Sequence, residues 1–319
     1  MNCKICNTQD DHDIYEVQEM MFGYQDKFIY FQCRKCGCLQ ISEFPIEMSK
    51  YYPHDYLSFV HPASNFLFEL FKKVFEGRRN NFAFSNRGFL GKIIYQHFPQ
   101  DALRSLAHIP ISKDMRILDV GSGIGKLLLK LNAVGFNQLL GIDPCLKNDY
   151  IYKNGLRILK KTIYEIEGTW DLIMFHHSFE HVSDPVETLK AAAGLLSRGG
   201  HCLIRVPTVS SYAWEHYREN WVQLDAPRHF FLHSLKSIEI LAYNAGFKLN
   251  EIIYDSNEFQ FWGSEQYLKN VPLNSDNSYW RNPRKSMYSK SDIKIFHQKA
   301  LELNLSKQGD QICIYLTKG

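Results

Sequence analysis

One stretch limits the fold more than any other, Ile117-Leu-Asp119-Val-Gly121-Ser-Gly123-Ile-Gly125. Residues 115–120 read as a short apolar strand with its acid near the C-terminal end. Three glycines at alternate positions follow, and they let the backbone turn tightly and approach a ligand closely. Ile124, Leu127, Leu128, Leu131 and Val134 then recur at helical spacing up to Gly135. Strand, glycine turn and helix in that order open a doubly wound sheet, where ligands bind at the carboxyl ends of strands. A dinucleotide fingerprint, GxGxxG, does not fit, because Lys126 stands where the third glycine belongs. A P-loop does not fit either, since Leu127 follows Gly125-Lys126 and Val120 holds the first glycine position.

The pattern continues downstream. A second strand, 138–142, ends at Asp143, whose carboxylate can accept both hydroxyls of a ribose. A third, 156–159, ends near Thr162 and Ile163, and a fourth, 171–175, runs into His176-His177. Asp184-Pro185-Val186-Glu187 reads as a capped helix start. Leu189, Ala193 and Leu196 form that helix's apolar face, and Gly199-Gly200 is its expected stop. A fifth strand spans 202–206. Ser234 caps a further helix with Ile238, Leu241, Ala242 and Ala245 inward. Strands near 249–254 and 311–317 complete a seven-stranded α/β domain over residues 111–319.

The front of the chain is different. Cys3-x-x-Cys6 and Cys33-x-x-Cys36 are two turns that each aim two thiolates at one point. Two such turns complete a tetrahedral site, so a small N-terminal zinc-ribbon domain over 1–50 is expected, with a structural zinc that leaves no open position. Between the two turns, the second half of EVQEMMFGYQDKFIYFQC (16–33) reads as a strand leading into the second turn. Cys38 is a neighbour or a substitute ligand; Cys145, Cys202 and Cys313 read as isolated, mostly buried residues. A tyrosine-rich linker and helical segment covers 51–110. Tyr51, Tyr52 and Tyr56 stand there beside Pro53, either as packing or at the mouth of the following domain. Two helical stretches over 64–108 are expected to break near Arg78–Asn81. Lys72, Lys73, Arg78, Arg79, Arg87 and Lys92 make this segment basic, as a solvated face or as a contact for an anionic substrate or RNA.

Length and charge set the outer limits. At 319 residues the chain is roughly two domains long. With 45 % hydrophobic and 22 % charged residues it is neither disordered nor fibrous. No apolar run approaches the roughly 18 residues of a membrane span. The start, MNCKICNTQDD, has neither the basic residues nor the apolar stretch of a signal peptide, which makes a cytoplasmic protein the expectation. A net charge of +3 gives no global case for nucleic acid or an anionic membrane.

Taken together, ILDVGSGIG (117–125), GIDP (141–144), WDLIMFHHSFEHVSDP (170–185), LLSRGGHCLIRVP (195–207) and GDQICIYLTK (309–318) resemble the Rossmann-like class I S-adenosylmethionine-dependent methyltransferases. The ribbon, the tyrosine-rich linker and NWVQLDAPRHFF (220–231) are similar to a narrower group, the zinc-ribbon sugar C-methyltransferases and polysaccharide-cluster methyltransferases. The resemblance implies that Gly121 and Gly123 pass the cofactor with their backbones. It sets Asp119 near the methionine ammonium and Asp143 on the ribose. Thr162 and Ile163 would lie near the adenine, and His176-His177 would pass the sulfonium. The stretch His177-Ser-Phe-Glu180-His181 lacks the first glutamate of the Glu-x-x-Glu-His that holds magnesium in a related O-methyltransferase group. The resemblance therefore implies no catalytic metal, and Glu180 could instead orient a histidine.

Methyl transfer is an in-line displacement, so the enzyme must position a nucleophile and exclude water. A hydroxyl acceptor needs a base, and His177, His181 and His229 are the candidates, because imidazole titrates near neutral pH. Trp214, Tyr217, Trp221, Asp225, Arg228 and His229 would form a lid over the methyl group. Its aromatics suit a sugar face or planar ring, and Arg228 suits a phosphate. The expected acceptor is a small molecule, a sugar or nucleotide-linked sugar. An RNA methyltransferase and a non-catalytic cofactor-binding module are the alternatives, and the ribbon segment lacks the basic excess that RNA needs.

Overall fold

The computed structural model describes residues 1–9, 12–52 and 66–319. Tyr56 and Pro53 of the tyrosine-rich stretch lie outside the described residues. The strands in chain order are β1 (Asp13–Gln18), β2 (Lys27–Gln32), β3 (Leu39–Ile41), β4 (Ile117–Val120), β5 (Leu139–Ile142) and β6 (Tyr150–Ile151). They continue with β7 (Arg157–Leu159), β8 (Trp170–His176), β9 (Leu196–Pro207), β10 (Phe231–Leu232), β11 (Phe247–Tyr254) and β12 (Gln311–Lys318).

The main sheet has the order β11-β12-β9-β8-β4-β5-β7-β6. Its centre, from β9 through β8, β4 and β5 to β7, is parallel; β12, β11 and the edge strand β6 are antiparallel. All seven expected strands are present, and β6 adds a two-residue eighth. Alternation along the strands supplies two cores. Leu118, Val120, Ile173, Phe175, Cys202 and Ile204 face one side, against the helices Pro185–Leu195 and Leu235–Asn244. Ile117, Leu172, Met174 and Leu203 face the other, against the helix Lys126–Ala133. Burying each such side chain contributes roughly 1.5–3 kcal/mol.

Two boundaries differ from the sequence reading. The helix after Asp184 stops at Leu195, and Leu196, Gly199 and Gly200 belong to β9. Leu196 already pairs with Trp170 of β8, so the ladder, and not a glycine cap, ends the helix. The helical segment breaks at 86–88 and not at 78–81, giving Phe66–Ser85 and Phe89–His97. Asn86 and Gly88 have φ of +57° and +102°, which an α-helix cannot continue through.

The first strands form a second sheet, β1-β2-β3, whose fourth member is β10. Phe231 and Leu232 come from the segment expected to be the lid, and they pair with Gln40 and Leu39. Tyr30, Leu39, Ile41, Trp214, Tyr217, Trp221 and Leu224 share one buried cluster beneath this sheet.

Candidate active site

A cavity of about 880 Å³ opens at the carboxyl ends of β4, β5, β7 and β8. Its lining includes Gly121, Asp143, Thr162, Ile163, His177, His181 and His229, so seven of the expected site residues are brought together. Gly121 sits at φ +74°, where a Cβ would collide with Ser178. The hydroxyl of Ser178 donates to the Val120 carbonyl at 2.5 Å and ties the end of β8 to the turn after β4.

Asp143 is nearly buried. Its Oδ2 accepts from the Gly123 amide at 3.0 Å and its Oδ1 from the Cys145 amide at 2.8 Å. Gly123 thus serves by holding Asp143 and does not itself line the cavity. Burial pushes the Asp143 carboxyl up, against the pull of these two amides. Asp119 lies behind the wall, 3 % exposed, with an Oδ1 that has no hydrogen-bond partner. Burial, with the Asp143 charge adding to it, raises its pKa to about 8. A buried carboxylate oxygen without a donor, beside a glycine turn that a Cβ would block, fits a ligand with an ammonium group. His176 does not reach the cavity. Both its ring nitrogens are buried without partners, and burial followed by the Arg205 charge lowers its pKa to about 3.

Beyond the end of β8, three histidines stand around Glu180, whose side chain is fully buried. His177 Nδ1 lies 3.4 Å from Glu180 Oε1, while its Nε2 accepts from Arg205 at 2.8 Å. Both nitrogens of His177 are therefore engaged. His181 Nδ1 donates to the Arg228 carbonyl at 2.7 Å, and His229 Nδ1 to the Gln223 carbonyl at 2.7 Å. A carbonyl can only accept, so each neutral ring carries its proton on Nδ1 and a lone pair on Nε2. Burial, then the charge of His181, pushes His229 down to about 4. Burial raises the Glu180 carboxyl, but His177, His181 and His229 together outweigh it and bring it to about 2.

Several expectations about the surroundings change. Arg228 is not available to a phosphate: its side chain is fully buried and is held by Asp225 at 2.6 Å and Glu19 at 2.9 Å. Trp214 and Trp221 are fully buried and Tyr217 nearly so, all packed against the first sheet; what reaches the cavity from this segment is His229 and Phe230. Cys145 is exposed at the cavity wall and not buried, because it follows the strand end at Asp143-Pro144. Tyr52 lines the mouth with Met48 and Ser49, whereas Tyr51 is packed. Ser178 and Lys147 also line the cavity and were not singled out in the sequence. Ser178 could have been found as the second residue beyond the end of β8.

The four expected cysteines meet. Cys3 and Cys36 sulfurs are 3.5 Å apart, and Cys6 and Cys33 sulfurs 3.6 Å. Four sulfurs at 2.3 Å from a tetrahedral zinc lie about 3.8 Å from one another, so this set could hold zinc. Cys38 is outside it and faces His233 Nδ1 at 3.9 Å.

A family model described as a methyltransferase domain matches residues 93–252, which is 160 of the 319 residues. The chain belongs to this family. It is an enzyme, a class I methyltransferase that takes its methyl group from S-adenosylmethionine. Among solved structures it is similar to S-adenosylmethionine-dependent methyltransferases from three organisms. The Thermotoga maritima protein is 16 % identical over 79 % of this chain and 96 % of that one, with a TM-score of 0.42. The Mesorhizobium loti protein is 13 % identical over 67 % and 95 %, with a TM-score of 0.42. The Archaeoglobus fulgidus protein is 18 % identical over 79 % and 100 %, with a TM-score of 0.40. No curated protein matches the sequence. Among the described residues, no helix is long and apolar enough to cross a membrane.

Proposed function

We propose that this methyltransferase acts on a sugar or nucleotide-linked sugar in the cytoplasm. The observation that carries the reading is one continuous cavity of about 880 Å³ joining Asp143 to His181 and His229. That is large for a small-molecule site, which usually spans about 300–1,000 Å³, and leaves room for two reactants. Asp143 holds the ribose of the cofactor, Thr162 and Ile163 flank the adenine, Gly121 gives the backbone passage, and Asp119 faces the ammonium. The acceptor enters between Tyr52 and Phe230, whose rings suit a sugar face, and meets His181 and His229. Either imidazole can take a hydroxyl proton through its Nε2; His177, tied to Arg205 and Glu180, orients the wall.

Residues 1–50 serve as a zinc-stabilised wall of this acceptor end, 51–110 as the connection, and 111–319 as the catalytic domain. Nucleic acid is disfavoured as a partner, because the near-neutral net charge offers no electrostatic footprint. The test is release of S-adenosylhomocysteine from S-adenosylmethionine with a panel of nucleotide-linked sugars, free sugars and RNA. Turnover with RNA alone would overturn the sugar reading.

A further inference from the structure

The basic segment ahead of the catalytic sheet forms the helices Phe66–Ser85 and Phe89–His97, and none of its described residues lines the cavity. The inner faces of the two helices are fixed. Ala83 and Phe84 are buried with Leu103, Leu106 and Phe136. Gly91 crosses the first helix so closely that a Cβ would lie 2.5 Å from the Arg78 carbonyl oxygen. Helical spacing then turns Val74 of the first helix, and Phe89 and Ile93 of the second, away from these contacts. Phe89 is 77 % exposed, and Val74, Phe75, Leu90, Ile93 and Phe98 are each between 41 % and 56 % exposed. The rings of Phe75 and Phe98, 5.8 Å apart, join the exposed groups of the two helices into one face. Single exposed apolar residues are ordinary, whereas a contiguous set rimmed by charge marks an interaction surface.

The charges on this pair of helices favour one sign. Between Val74 and Phe98, Arg78, Arg87 and Lys92 are exposed, while Glu76 is half-buried and lies 3.8 Å from Arg79. The same composition runs back to the start of the first helix, FLFELFKK (66–73), with two lysines against one glutamate. A surface that is apolar and cationic at once fits the boundary of an anionic bilayer. The acyl region takes the apolar groups, and the headgroups take the cations. A second copy of this chain fits less well, because a two-fold contact would bring Arg78, Arg87 and Lys92 of both copies together. RNA also fits less well, since Val74, Leu90 and Ile93 offer no ring on which a base can stack. We propose that these two helices dock the enzyme on an anionic phospholipid surface. The docking goes beyond the sugar reading and holds whatever the acceptor is.

The test is co-flotation of the full chain with vesicles of phosphatidylcholine alone and of equal parts phosphatidylcholine and phosphatidylglycerol. Three cations at about fivefold each should make binding to the anionic vesicles roughly a hundredfold tighter, and added salt should weaken it. Arg87→Glu combined with Lys92→Glu should remove at least about tenfold of that preference. Phe89→Asp combined with Ile93→Asp should abolish flotation with either vesicle. All four side chains are exposed, so both variants should fold and keep their S-adenosylhomocysteine affinity, measured by calorimetry, within a few fold. No flotation of the wild type with anionic vesicles, or undiminished flotation of the folded variants, overturns the proposal. A wild-type dimer in light scattering that Phe89→Asp with Ile93→Asp turns into a monomer, without vesicle binding, gives the face to a second copy instead. RNA binding that Arg87→Glu with Lys92→Glu removes, again without vesicle binding, gives it to RNA.

Discussion

Glu19 and Arg228 form an ion pair at 2.9 Å in which both side chains are fully buried. One partner directly follows β1 of the first sheet, and the other precedes His229 directly. The same junction carries a hydrogen bond from the Tyr30 hydroxyl to the His229 carbonyl at 2.8 Å and one from the Ser234 hydroxyl to the Cys36 carbonyl. The position of His229 therefore depends on the first sheet, not on the catalytic domain alone.

Removing Glu19 should destabilise the protein measurably. Glu19→Ala leaves Arg228 buried with Asp225 as its remaining carboxylate. Complete loss of a buried partner costs about 3–5 kcal/mol. Because Asp225 stays, a loss of about 1.5–3 kcal/mol is expected, the range of one charge-assisted hydrogen bond. Urea unfolding of wild type and variant measures it; an unchanged midpoint would show that the pair contributes nothing.

The cysteine set should carry one zinc that a mercurial reagent releases on titrating the thiolates. Cys33→Ser should lose that zinc and lower the melting temperature, since metal binding is coupled to folding of such a site. Elemental analysis before and after the reagent decides it. Retention of reagent-released zinc by Cys33→Ser would remove this cysteine from the site.

Much of the catalytic sheet was legible because local signals agreed with the fold. The glycine turn, the acid ending β5 and the capped starts at Asp184 and Ser234 each have a short-range cause, and each is present. What could not be read depends on contacts between distant segments. Leu196 to Gly200 extend β9 because β8 is there to pair with, and nothing local separates that from a helix stop. Arg228 looked available for a phosphate because the sequence does not show Glu19 arriving from over 200 residues away. The Cys145 reading failed for a related reason: cysteine is usually buried, but this one follows a strand end that opens into the cavity.

Asp143→Ala should weaken S-adenosylmethionine binding roughly ten- to hundredfold, corresponding to about 1.5–3 kcal/mol for a charge-assisted contact. Part of that loss comes through the Gly123 amide, which would lose its acceptor. Calorimetry on both proteins gives the ratio. Equal affinity would take Asp143 off the ribose.

Asp119 gives the cofactor affinity a pH dependence. Its folded pKa is raised from 3.8 to about 8 by burial and by Asp143, so between these values the folded state holds a proton that the unfolded state has lost. Stability at this group is thus present below pH 3.8 and is lost as the pH rises toward 8. A cofactor ammonium favours the charged carboxylate, so binding near neutral pH should expel the proton. Affinity should rise up to about pH 8, where the ammonium, with an ordinary pKa of about 7.7–8.0, begins to lose its own proton. Calorimetry in buffers of different ionisation enthalpy measures the released proton. Asp119→Asn should abolish both the release and the rise, and a flat wild-type profile would place the ammonium elsewhere.

His229 and His181 should matter to turnover and not to cofactor binding. Asp119 lies near the end of β4 and Asp143 follows β5, the positions proposed for the cofactor, whereas these two histidines stand together with ring centroids 4.8 Å apart, on segments that follow β8 and precede β10. A base acting in the transition state contributes typically about 10²–10⁴-fold. His229→Ala and His181→Ala should lower kcat within that range while the Kd for S-adenosylhomocysteine stays within a few fold. Tyr30→Phe serves as the companion variant, because it frees the His229 backbone without touching either ring. It should lower kcat by less than His229→Ala does. Full turnover in both histidine variants would remove them from the chemistry. Loss of cofactor binding in both would make them supports of the fold and move the acceptor away from this end of the cavity.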